Sequence, residues 1–92
     1  AKSANSFEAT ECLDKEVKRL RTELNTIYKK VYKQTEARKE LDTAQKSWSN
    51  YKDQQCGDFV SVDSGYSPST MIFNLDCQVT LLKQRIEFLK SL

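Results

Sequence analysis

Apolar residues recur along the first third of the chain at alternating intervals of four and three residues. This series is Leu13, Val17, Leu20, Leu24, Ile27 and Val31. Such spacing places one apolar stripe along a helix, and the segment contains neither glycine nor proline. It predicts a long amphipathic helix starting near Ser6 or Thr10, either of which suits a helix cap. Residues 1–7 show no periodicity and predict a loose lead-in.

A second stripe with the same spacing predicts a second helix. It consists of Ala37, Leu41, Ala44, Trp48, Tyr51 and Gln55. The residues Gln34, Thr35 and Glu36 between the stripes predict a turn, because one continuous helix would leave both stripes unburied in a monomer. The two helices therefore form a long α-hairpin, with Trp48 and Tyr51 packed in its core.

Both glycines and the only proline lie between Gly57 and Thr70, which predicts a loop over residues 57–68. A third apolar stripe follows, formed by Leu75, Val79, Leu82, Ile86 and Leu89. It predicts a C-terminal helix with Ser67 as its cap and Pro68 in its first turn. Because so broad an apolar face needs two neighbours, the pattern favours an all-α, up-down-up three-helix bundle over residues 1–92, a single domain.

That topology places the three cysteines at one end of the bundle. Cys56 and Cys77 form the strongest candidate pair, since their disulfide would tether the predicted loop. The partner of Cys12 stays open between the other two cysteines, a cysteine further upstream and a second chain. Three buried free thiols are the alternative. A disulfide predicts an oxidising compartment, hence a periplasmic or secreted protein in its mature form, without a signal peptide.

The same antiparallel pairing predicts a contact between the second and third helices. Trp48 lies eight residues before Cys56, and Arg85 lies eight residues after Cys77. The two side chains should therefore come level. We expect Arg85 to stack on Trp48 or to hydrogen-bond Gln45.

The composition argues against catalysis. The chain has no histidine, so Ser-His and Cys-His nucleophile pairs are excluded. Two isolated glycines cannot build a phosphate-binding loop, and the cysteine spacing matches no usual zinc pattern. We therefore expect a binding protein with no enzyme activity, no cofactor and no metal.

Charge is distributed unevenly along the chain, although the net charge is only +2. Nine basic residues and four acidic ones lie between Lys15 and Glu40, whereas four aspartates and no basic residue lie between Asp53 and Leu82. The sequence pI of 8.5 is too low to favour nucleic-acid binding. No apolar run approaches the ~20 residues needed to span a bilayer.

Residues 44–56 carry the motif A-Q-x-x-W-x-x-Y-K-D-x-x-C. The chain resembles the LprI-type lysozyme inhibitor family, small exported bacterial proteins that include YecT-like members of unknown function. The matching positions Gln45, Trp48, Tyr51, Asp53 and Arg85 are expected to be structural. Cys12, Leu24-Asn25-x-x-Tyr28, Cys77 and Leu89 agree in order. Lys52 departs from the arginine common in the family, and Arg21 departs from aspartate.

The resemblance implies export, a helical fold with disulfides and, for some members, inhibition of lysozyme. We expect the loop to cover lysozyme through Asp58, Phe59, Asp63 and Tyr66, because its charge complements a cationic partner. The net charge of +2 argues against electrostatic capture by the whole surface. Three other interpretations stay open: the loop is only a tethered connector, the protein is an immunity or adaptor protein for another secreted effector, or it is a structural envelope protein. The oligomeric state is not indicated.

Overall fold

The computed structural model of this chain describes residues 6–92. Its long helices are α1 (Ser6–Gln34), α2 (Arg38–Asp53) and α4 (Thr70–Lys90). A π-helical segment (Gln54–Phe59) continues α2 without a break and leads into the short α3 (Val60–Asp63). No strand occurs among the described residues, so the predicted all-α bundle is confirmed. Residues 1–5 of the predicted lead-in lie outside the described part, and α1 already begins at Ser6.

The core lies mainly between α1 and α4. Its buried residues are Val17, Leu20 and Leu24 from α1, with Leu75, Val79, Leu82, Ile86 and Leu89 from α4. Lys90 forms an ion pair with Glu23 at 3.4 Å. The pKa of Glu16 is lowered, first by its hydrogen bond with Arg19 and more weakly by Lys83 of α4. Lys83 and Glu16 are separated along the chain by as many residues as Lys90 and Glu23. Because this separation is constant, α1 and α4 run parallel, as an up-down-up order requires.

The turn between α1 and α2 occurs where the sequence predicted it. The backbone amide of Ala37 donates to the side-chain oxygen of Thr35 at 3.0 Å. Arg38 donates from Nε to the carbonyl oxygen of Tyr32 at 2.8 Å and lies over its ring at 5.2 Å. Close by, the Tyr28 hydroxyl donates to Asp42. These bonds satisfy carbonyls at the end of α1 and reverse the chain.

The inner face of α2 differs from the predicted stripe. Ala44 is exposed, and Tyr51 is 51% exposed, so the prediction that Tyr51 packs in the core is wrong. The inward-facing series is instead Leu41, Gln45, Trp48, Lys52 and Cys56. The reason is geometric, because Cys56 must face α4 to reach Cys77. The residues four, eight and eleven positions before Cys56 lie on the same helix face, and these are Lys52, Trp48 and Gln45.

Most of the predicted 57–68 loop is helical, and only residues 64–69 are irregular. Gly65 and Tyr66 have positive φ angles of 66° and 54°, which end α3 in the left-handed conformation that glycine favours. The predicted start of α4 is also corrected. The amide of Thr70 bonds the backbone oxygen of Ser67 at 3.0 Å, which makes residues 67–70 a turn. Pro68 therefore precedes the helix, and Ser67 does not cap it through its side chain.

We predict that replacing both Cys56 and Cys77 with alanine lowers the free energy of unfolding by about 3 kcal/mol, because the unfolded chain regains the entropy of an open loop. Urea denaturation measures the change. Cys12→Ser is the control, since Cys12 is free and exposed. An equal loss in the control would contradict the assignment.

Candidate functional site

The disulfide joins the end of α2 to the first half of α4. Cys56 and Cys77 are bonded with their Cα atoms 5.4 Å apart, and Cys56 is buried. Asn74 donates from Nδ2 to the carbonyl oxygen of Cys56 at 2.8 Å, and Gln78 donates to Asn74 at 2.7 Å. These amides fix the π-helical segment against α4. The sequence analysis missed Asn74, although it lies three residues before Cys77 and thus on the same helix face.

Arg85 links α4 to α2 as predicted. Its Nε donates to Oε1 of Gln45 at 2.9 Å, and its guanidinium lies 5.9 Å from the Trp48 ring. It also lies 5.5 Å from the ring of Phe88. Burial lowers the pKa of Arg85, since a charged group is less well solvated between two rings. Gln45, Trp48 and Arg85 thus form one polar and aromatic cluster within the bundle.

The end of the bundle next to the disulfide carries an acidic and apolar surface. We call residues 58–76 the acidic elbow. Its exposed large apolar side chains are Phe59, Val62, Tyr66, Met71 and Phe73, and Tyr66 is 73% exposed. An apolar surface of this kind on a small protein is typical of an interaction site. Phe59 and Tyr66, two of the predicted binding residues, are thus among five exposed apolar side chains on this segment.

The charge of the elbow is wholly negative. Asp58, Asp63 and Asp76 are exposed, and no lysine or arginine occurs between them. A shallow pocket of about 440 Å³ between α3 and α4 brings Asp63 together with Phe73 and Asp76. The other three predicted binding residues lie outside this pocket: Asp58 and Phe59 on the π-helical segment, and Tyr66 at the turn.

The sequence analysis missed Phe73, Met71 and Asp76. A signal was present for Phe73, which is apolar but lies off the stripe that begins at Leu75, whereas Met71 lies four residues before Leu75 on the stripe itself. An apolar side chain off the core stripe of an amphipathic helix points towards solvent or a partner. The elbow thus extends from the predicted loop onto the first turns of α4.

The backbone of the elbow is held in place by several bonds. The hydroxyls of Ser64 and Thr70 lie 2.6 Å apart across the turn, and the amide of Tyr66 bonds the carbonyl oxygen of Ser61 at 3.0 Å. With the disulfide, these contacts fix both ends of the six-residue turn. The exposed aromatic side chains are therefore presented from an ordered backbone.

The remaining chemistry of the described residues is limited. Residues 6–92 contain no group of histidine, cysteine, aspartate or glutamate side chains arranged to hold a metal. Within that same part of the chain, no helix is long and apolar enough to cross a membrane.

Residues 1–89 match the family model described as lysozyme inhibitor LprI. Searches of curated proteins and of solved structures gave no match.

Arg85→Met is predicted to lower the free energy of unfolding by about 2 kcal/mol, because it removes a charged hydrogen bond and two ring contacts. The emission of Trp48, the only tryptophan, should change as well. Urea denaturation followed by fluorescence measures both effects. Lys46→Gln on the exposed face of α2 removes the same charge and should change neither; an equal effect there would contradict the prediction.

Proposed function

The chain belongs to the LprI lysozyme inhibitor family, and on that premise we propose that it inhibits lysozyme by covering the enzyme with the acidic elbow. The observation that carries this proposal is that exposed aromatic side chains and aspartates without ion pairs in the described chain occur on the same segment, where Asp63, Phe73 and Asp76 line one pocket. The proposal places the protein outside the cytoplasm, where the Cys56–Cys77 disulfide persists.

Charge supports the choice of the elbow over the rest of the surface. Animal lysozymes are strongly cationic, so an inhibitor surface must present negative charge or at least avoid positive charge. The opposite end of the bundle does not meet this condition. It carries Lys29, Lys30, Lys33, Arg38 and Lys39, all exposed. A cationic enzyme would therefore meet the elbow first and be repelled by the other end.

The aromatic side chains supply what charge alone does not. Hot spots of protein interfaces are enriched in aromatic residues surrounded by polar ones. Phe59, Tyr66 and Phe73 occur in that setting, beside Asp58, Asp63 and Asp76. Because the disulfide and the bonds across the turn already order this backbone, binding loses less conformational entropy there. Apolar burial would then slow dissociation of the complex, while the aspartates increase the association rate.

We predict that replacing Asp58 and Asp63 together with lysine raises the concentration needed for half-inhibition by at least about tenfold. The two substitutions replace two negative charges with two positive ones at the contact surface, so attraction to a cationic enzyme becomes repulsion. A turbidity assay with bacterial cell walls and hen lysozyme measures inhibition. If the wild-type protein at several-fold molar excess does not slow lysis, the proposed function is wrong.

The matched control is Glu36→Lys with Glu40→Lys. It makes the same change in net charge at the opposite end of the bundle, where both carboxylates are exposed. Inhibition by this variant should stay within about twofold of wild type. An equal loss in both variants would show that overall charge matters rather than the elbow.

Truncating the aromatic side chains should separate affinity from stability. Phe59→Ala and Phe73→Ala are each predicted to weaken inhibition by about tenfold or more, as expected of interface hot spots. Because both rings are at least half exposed, the free energy of unfolding should change by less than about 0.5 kcal/mol. Leu92→Ala, also an exposed apolar truncation, is the control. Unchanged inhibition by both variants would contradict the role of the rings.

A further inference from the structure

A groove of about 410 Å³ runs between α1 and α2, halfway along the bundle. Leu24 and Leu82 form its apolar base, and Trp48 lies beside them. Its volume falls within the range of small-molecule sites. The groove is separate from the acidic elbow, since none of its lining residues lies within residues 58–76.

The polar side chains that line the groove have few partners within the protein. Neither Asn25 nor Ser49 forms a side-chain hydrogen bond with any described residue. Gln45 accepts from Arg85 through Oε1, which leaves its NH₂ group as an unused donor. Amide and hydroxyl groups next to an indole ring are the combination that binds sugar hydroxyls and acetamido groups.

Two cations and one acid give the groove a positive balance. Lys52 is only 8% exposed, and its ammonium group contacts the carboxylate of Asp53 at 3.0 Å. Arg21, on the facing helix, makes one long contact of 3.5 Å with Gln78 and no ion pair within the described chain. A buried lysine is costly unless charge or hydrogen bonding compensates it. Arg21 and Asp53 are both exposed, and Asp53 is the one acid among the described residues that line the groove.

The position of Lys52 needs an explanation that stability does not provide. Residue 52 lies on the inward face of α2, where an apolar side chain would extend the core beside Leu24 and Leu82. The partner of Lys52, Asp53, is exposed, and an ion pair with an exposed carboxylate contributes little to stability. Gln45 and Ser49 are polar on the same inner side of the helix. The polarity is therefore better explained by a ligand than by packing.

We propose that this groove binds a carboxylate-bearing amino sugar. Trp48 packs against the sugar ring, the side chains of Asn25, Gln45 and Ser49 bond its hydroxyl and acetamido groups, and Arg21 with Lys52 binds its carboxylate. The inference is independent of lysozyme inhibition through the elbow.

The test is titration of the full chain with N-acetylmuramic acid, followed by Trp48 fluorescence and by two-dimensional NMR. N-acetylglucosamine, which has the same ring and acetamido group without the carboxylate, and free lactate are the comparison probes. We expect saturable binding of N-acetylmuramic acid with a dissociation constant on the order of a millimolar or below. Binding of either comparison probe should be at least about tenfold weaker. No saturable change with N-acetylmuramic acid, or equal binding of N-acetylglucosamine, overturns the proposal.

Three variants locate the site. Lys52→Gln should weaken binding about tenfold, whereas Lys46→Gln on the exposed face of the same helix should not change it. Asn25→Ala combined with Ser49→Ala removes groups without intramolecular bonds, so it should keep the fold and weaken binding at least about fivefold. Unchanged binding by a folded Asn25→Ala, Ser49→Ala protein would contradict the assignment.

The two proposals fail separately. The Asp58→Lys, Asp63→Lys protein should bind the sugar normally, and the Asn25→Ala, Ser49→Ala protein should inhibit lysozyme normally. Loss of sugar binding in the elbow variant would place the sugar outside this groove.

Discussion

The Cys56–Cys77 disulfide is the constraint on which the rest of the arrangement depends. It fixes the end of α2 against α4 with the two Cα atoms 5.4 Å apart. Once that point is set, the antiparallel course of the two helices brings Gln45 and Trp48 level with Arg85. It also determines which face of α2 turns inward. A small bundle has few core contacts to specify such a register, so one covalent link has a large share in deciding it.

The bundle separates two kinds of surface. Its turn between α1 and α2 is basic, and its elbow is acidic and apolar. The basic turn and the acidic elbow lie at opposite ends because they are the two successive reversals of an up-down-up chain. The basic and acidic segments are therefore kept apart. A net charge of +2 therefore says little about either end. For a cationic partner the relevant quantity is the local field, which falls off within about 10 Å at moderate salt.

The inner side of α2 shows a different compromise. The tightly packed pair of the bundle is α1 with α4, which together supply most of the buried aliphatic side chains. The middle of α2 contributes Gln45, Ser49 and Lys52 along with Trp48. A polar inner face reduces the apolar area that α2 can bury. The disulfide, the Arg85 cluster and the turn at Thr35 hold α2 in place despite that reduction, and they leave a groove that a fully apolar helix would have closed.

The sequence by itself predicted the three long helices, their order and Cys56–Cys77 as the strongest candidate pair. Intervals of four and three between apolar residues define a helix locally, and the positions of Gly65 and Pro68 mark where the chain reverses. Asp58, Phe59, Asp63 and Tyr66 were predicted as a candidate surface because local charge and aromatic content are also properties of the sequence. The family motif added the expectation of lysozyme inhibition.

Only the tertiary structure decided which of two overlapping faces of α2 is buried. Leu41 and Trp48 belong to both faces, so periodicity could not choose between Tyr51 and Lys52; the bond from Cys56 to α4 made the choice. The helical conformation of residues 57–63 was likewise not predicted, because Gly57 and Gly65 suggested a loop. A short helix held by a disulfide also lacks a periodic apolar pattern of its own. Phe73 and Asp76 lie next to α3 only because the turn at residues 64–69 brings α4 back against it. Contacts between distant segments depend on the path of the whole chain, which local spacing does not encode.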